Sequence, residues 1–196
     1  MNRYRKKSLK GLALAIGGMM MLSVPALAAV ADNSATKASI RFTAGELKLN
    51  SVPVLDFGTQ NISHLEQNYP ADSVAPVIEV SDLRGSGNGW ELIVSLSPFN
   101  LEGSGTATLQ AASIQLTNPV VTAANGTVGT PPTAIGNVVL TSDDQPVPVW
   151  KANLHEGMGV WNLQWNPADA LLNVKPGTAQ EGKSEASLNW SLQSAP

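Results

Sequence analysis

Three tryptophan-bearing runs, each alternating apolar and polar side chains, constrain this chain more than any other feature. In the stretch from Trp90 to Ser97, residues Trp90, Leu92, Val94 and Leu96 share one face of an extended strand, while Glu91, Ile93, Ser95 and Ser97 share the other. Ser187 to Gln193 repeats the pattern with Leu188, Trp190 and Leu192 on one face, and Trp161-Asn162-Leu163 continues to Trp165 at the same spacing. A period of two suits a sheet with one buried face. Gly85, Gly87 and Gly89, set just before the first run, supply the positive-φ residues of a tight entry turn.

The rest of the chain reads as further short strands between turns. Ser39 to Thr43, Glu46 to Asn50, Pro53 to Gly58, Pro76 to Val80, Ala112 to Leu116, Asn137 to Thr141, Val147 to Asn153 and Ala170 to Val174 read as strands, with Pro146, Pro148 and Pro176 confining their ends to edges. Asn61 to Ala71, with His64, Glu66 and Asn68, reads as a polar loop. Asn118 to Gly136, rich in Thr, Gly, Ala and Asn with the Pro131-Pro132 pair, reads as a long surface loop. No segment keeps a helical apolar period for three turns. The expected fold is all-β, a sandwich or barrel-like single domain of short strands with long loops.

At the N-terminus, Arg3, Arg5, Lys6, Lys7 and Lys10 precede an uncharged apolar run from Gly11 to Leu22. Pro25-Ala26-Leu27-Ala28 then offers an A-x-A peptidase site, with Ala29-Val30-Ala31 as a second candidate. The apolar run is too short to span a bilayer stably, so residues 1–28 read as a secretion signal peptide, residues 29–38 as a short link, polar from Asp32 to Lys37, and residues 39–196 as the β-domain.

After residue 28 the chain carries seven Lys and Arg against all fifteen Asp and Glu, a net charge of −8. Such an acidic exterior without a polybasic patch excludes nucleic acid and anionic membranes as expected partners. The absence of cysteine excludes a disulfide framework and a thiolate metal site, so burial alone must hold the core.

Little in the sequence points to catalysis. His64 and His155 are the only histidines and share no ligand spacing, and there is no Gly-x-Ser-x-Gly elbow. Asp143-Asp144 and the acids from Glu181 to Glu185 sit among turn residues, where carboxylates are usually solvated; Asp143-Asp144 with Ser142 offers too few oxygens to assure a calcium loop. No catalytic residue, metal or cofactor is expected.

Four motifs in order give the chain a family resemblance. Leu55-Asp56-Phe57-Gly58, the pair Val80-Ser81-Asp82-Leu83-Arg84-Gly85 and Gly89-Trp90-Glu91-Leu92, the segment Gly157-Met158-Gly159-Val160-Trp161, and Leu188-Asn189-Trp190-Ser191-Leu192 with Pro196 together resemble the WxL domain of Gram-positive surface proteins. Ala186 departs from the pattern, since the family often has a tyrosine four residues before the distal tryptophan. The resemblance implies a non-catalytic protein on the extracellular cell surface, attached non-covalently through peptidoglycan or, alternatively, a structural subunit that reaches the wall through other surface proteins. The sequence has no Leu-Pro-x-Thr-Gly sorting motif and no lipobox cysteine, so non-covalent retention is expected.

The motif residues Trp90, Leu92, Trp161, Leu163, Trp190 and Leu192 have two readings. Exposed aromatic rings hold wall glycans, but large aromatics that share a face with leucines are core anchors whose loss acts through folding, and that structural role is the one expected of Trp90 and Trp190. Trp150, beside Lys151 and after two prolines, is less constrained and is the candidate exposed aromatic, the reading ahead of it being a half-buried edge residue.

Overall fold

A computed structural model describes residues 34–195. The expected signal peptide at residues 1–28, the first five residues of the expected link, 29–33, and Pro196 lie outside the described residues. Residues 34–41 belong to a separate unit from the fold, which begins at Phe42.

The strands follow one another as β1 (Leu47–Ser51), β2 (Val54–Asp56), β3 (Gln67–Pro70), β4 (Ser73–Ala75), β5 (Ile78–Asp82), β6 (Trp90–Leu96), β7 (Asn100–Leu101) and β8 (Ser113–Thr117). The second half continues with β9 (Val120–Ala124), β10 (Thr133–Ala134), β11 (Asn137–Thr141), β12 (Val147–Ala152), β13 (Gly159–Gln164), β14 (Ala170–Val174), β15 (Ser184–Glu185) and β16 (Leu188–Ser194). Among the described residues the only helix is a single 3₁₀ turn, Pro167–Asp169, with proline at its first position.

Every ladder is antiparallel, and the sheets are open and sandwich-like rather than closed into a barrel. Three have four strands each, in the orders β1-β5-β13-β9, β10-β12-β6-β16 and β11-β8-β14-β3; β15-β7 and β2-β4 are short pairs. Alternation explains why they meet: Ile78 and Val80 of β5, Leu92 and Val94 of β6, Ile114 and Leu116 of β8, and Val138 and Leu140 of β11 are all buried, while their strand neighbours are half-buried or exposed, except at the end of β5, where Ser81 and Asp82 are buried as well. These inward residues form one hydrophobic core.

Three expectations from the sequence are corrected. Ser39 to Thr43 is not a strand: it pairs with nothing among the described residues, and Ile40 and Phe42 are 78% and 83% exposed. Alternation alone does not stabilise a strand without a neighbour. Within the expected polar loop Asn61 to Ala71, Gln67–Pro70 is a strand because β14 offers it an edge, pairing Leu172 with Tyr69. Within the expected surface loop Asn118 to Gly136, Val120–Ala124 pairs with β13 and Thr133–Ala134 with β12. In both cases the ladder is made by backbone groups, which need no apolar period.

Candidate functional site

The first and last Trp-x-Leu runs are hydrogen-bonded neighbours. In the β6–β16 ladder Leu92 stands opposite Leu192, Val94 opposite Trp190 and Trp90 opposite Ser194, which puts both motifs on the same inner face. The third run lies in another sheet, with Trp161 opposite Val80 and Leu163 opposite Ile78. Trp90, Leu92 and Leu163 are fully buried and Trp161 nearly so.

The Gly157-Met158-Gly159 segment completes this arrangement. The Trp90 indole N–H donates to the Gly157 carbonyl at 3.3 Å, and that of Trp161 donates to the Met158 carbonyl at 2.9 Å. A Cβ on Gly157 would lie 2.8 Å from the Trp90 ring nitrogen and 2.6 Å from the Ala152 Cβ, at φ +68°, so only glycine lets the backbone approach the indole this closely.

Trp150 is not exposed; its accessibility is 0%. Unbroken alternation from Val147 would send Trp150 outward with Pro148, but the β12–β6 register shifts between Pro148 and Trp150. That bulge inserts Val149, so Val149 and Trp150 are both buried in succession and Lys151 is turned out to solvent. Trp190, expected in the core, packs against it but is half-buried, on the strand that ends its sheet.

Sequence reading missed an ion pair that ties the glycine-rich turn to the C-terminal strand. Arg84 donates to both Asp82 carboxylate oxygens at 2.9 and 2.8 Å, to the Gly89 carbonyl at 2.8 Å and to Ser194 Oγ at 2.6 Å. The Asp82 side chain is wholly buried and that of Arg84 only 17% exposed. The Asp82 hydrogen bond raises the Arg84 pKa above its ordinary value. Asp and Arg two residues apart in the Val80 to Gly85 motif were the available signal.

The concave surface lies elsewhere, where β16, β2, β3 and the segment from Ala179 to Ser187 converge. A cleft of about 940 Å³ opens there, lined by half-buried Phe57, Tyr69 and Trp190 and by the exposed amides of Gln60, Asn61, Asn100 and Gln180. A second depression of about 360 Å³ shares Gln60, Asn61, Ile62, Ser63, Gln67 and Tyr69 with it and adds His64, so the two are neighbours. Asp56, Lys183 and Glu185 are the charged side chains of the cleft. Asp56 accepts the Gly58 N–H at 2.9 Å, and Lys183 pairs with Glu185 and, at 3.5 Å, with Glu102, which raises its pKa above the ordinary value. Ala186 also lines the cleft.

His155 and Asp143 take part in turn contacts. The His155 backbone N–H donates to the Gly87 carbonyl at 2.7 Å, and Asp143 accepts Thr141 Oγ1 at 2.8 Å and the Gln145 N–H at 3.3 Å in an exposed turn. Among the described residues no group of three or more His, Cys, Asp or Glu is placed to hold a metal ion.

A family model described as a WxL domain, surface cell wall-binding, matches residues 25–196. The chain belongs to that family. No curated protein matches it, and no solved structure does. This WxL domain is thus a cell-wall-binding surface domain located at the cell surface and wall. No helix among its described residues is long and apolar enough to cross a membrane.

Proposed function

We propose that this WxL domain holds the chain at the wall by binding peptidoglycan non-covalently and without cleaving it. One observation carries the reading: the cleft beside β16 and the depression next to it, lined by half-buried aromatics together with amides and hydroxyls. With a net charge of −8 after residue 28, long-range attraction to anionic wall polymers is unfavourable, so binding rests on short-range contacts that such a groove supplies. The two cleft carboxylates, Asp56 and Glu185, are engaged by Gly58 and Lys183, which supports a binding rather than a hydrolytic role. In the same reading residues 1–28 are removed on export, 29–38 form a link and 39–196 are the binding domain.

A second reading is supported by β16 as the seven-residue end strand of its sheet. Such an edge is a template for a strand from another surface protein, and the chain would then reach the wall as a structural subunit. Pull-down of the chain without residues 1–28 on bare wall sacculi, with and without cell lysate, separates the two. Peptidoglycan binding gives retention in both arms; partner-borne attachment gives none until lysate is added. Release of labelled wall fragments would overturn both.

A further inference from the structure

Resting on the peptidoglycan reading, we infer that the groove takes the uncharged acetamido-sugar backbone of the wall polymer, with the Trp190 indole as its stacking platform, rather than the peptide or phosphate-bearing parts of the wall.

Trp190 is singled out by exposure. Trp90 and Trp150 are 0%, Trp165 4% and Trp161 5% accessible, whereas Trp190 is half-buried on the cleft wall. Trp190 packs against the core and keeps part of its surface accessible in the cleft lining. An indole face carries the negative lobe of the ring quadrupole, and the axial C–H bonds of a sugar ring present a weakly positive, apolar surface that fits it. Tyr69, also half-buried, is held by its hydroxyl, which donates to the Asn61 carbonyl at 3.1 Å. It therefore stands as a fixed second aromatic wall where the cleft meets the smaller depression.

The polar lining matches the same ligand. A carboxamide is both donor and acceptor, as is an acetamido group, and neutral hydroxyls pair with either. Asn61 and Gln180 present such amides at exposed positions. Gln60 and Asn100 are steadied by donating to the carbonyls of Phe57 and Pro98 at 2.8 and 3.3 Å.

Charge argues against the anionic alternatives. The cleft holds one cation, Lys183, between Glu185 and Glu102, so the lining offers a phosphate or carboxylate no free positive partner. The depression neighbours the cleft, with six residues lining both, and a row of adjacent hollows suits a linear polymer laid along the surface.

The test uses the chain without residues 1–28, an oligomer of N-acetylglucosamine as probe, and bare sacculi. The oligomer is expected to change the tryptophan emission and to compete the chain off sacculi, with little effect of added salt. Trp190→Phe is expected to abolish the emission change and weaken binding about ten-fold through the smaller ring. The exposed pair Asn61→Ala and Gln180→Ala is expected to weaken it several-fold with an unchanged unfolding curve, which keeps the test sound if changes at Trp190 disturb folding. Retention on sacculi without any response to the oligomer, or oligomer binding unaffected by the Asn61 and Gln180 changes, would overturn this inference and leave peptidoglycan binding standing. Failure of the unaltered chain to bind sacculi overturns the peptidoglycan reading itself.

Discussion

The Trp90 and Trp150 rings meet edge to face, with centroids 5.0 Å apart and planes at 89°. Both are fully buried on adjacent strands, and the arrangement sets the positive edge of one ring against the negative face of the other. Trp150→Ala should therefore open a cavity at the centre of the core and cost about 3–5 kcal/mol, read from urea unfolding. Trp150→Phe should cost clearly less: it keeps an aromatic ring and removes the indole N–H, which is buried without a partner. A Trp150→Ala variant of unchanged stability would contradict this packing.

Removing one member of the Asp82–Arg84 pair leaves the other buried alone. Arg84→Met is expected to cost about 3–5 kcal/mol by the same measurement. Arg84→Lys retains the charge but cannot span both carboxylate oxygens, Gly89 and Ser194 together, so it should fall between Arg84→Met and the unaltered chain. In amide hydrogen exchange, faster exchange after Arg84→Met should concentrate near Gly89 and in the C-terminal half of β16.

Two glycines of one turn should respond differently to the same change. Gly85 has φ +68° with nothing within 4 Å of an added Cβ, so Gly85→Ala should cost only the left-handed strain of about 1–2 kcal/mol. Gly89 has φ +74°, and its Cβ would run into the Ala152 and Asn153 carbonyls. Gly89→Ala adds overpacking to strain and should cost about 3 kcal/mol or more. Equal effects at the two positions would refute the close approach at Gly89.

Acid should weaken two exposed clusters. Glu66 has its pKa lowered from 4.5 by hydrogen bonds from Lys175 and Asn173 and by the Lys175 charge, and Asp169 has its pKa lowered from 3.8 by hydrogen bonds from Asn118 and Asn166. A lowered folded pKa means stabilisation that is complete above the unfolded value and is lost as pH falls through the folded one. The melting temperature should be insensitive to these groups near neutrality and fall below about pH 4.5. Glu66→Gln should flatten part of that fall. The opposite sign holds for Lys183: its raised pKa gives stabilisation that is complete below 10.5 and lost as pH rises through the folded value.

Legibility in the sequence followed how local the determining interaction is. β11 and β14 appear with the limits read from alternation, Asn137–Thr141 and Ala170–Val174, because each carries its apolar period on its own residues. Gln67–Pro70 carries no such period and becomes a strand only because β14 lies beside it. The groove could not be read at all: its walls come from Phe57, Tyr69 and Trp190, which are distant in sequence and meet only when the sheets assemble.

By itself the sequence determined that the chain makes sheets, that its Trp-x-Leu runs turn their indoles and leucines to one face, and that the chain after residue 28 is net acidic. A period of two and a count of charges are properties of neighbouring residues and of totals, so no fold is needed to read them. Tertiary structure alone decided which indole stays accessible. One inserted residue, Val149, turns Trp150 inward, and Trp190 stays half-buried on the strand that ends its sheet, since register and edge position belong to the pairing of strands and not to any strand alone.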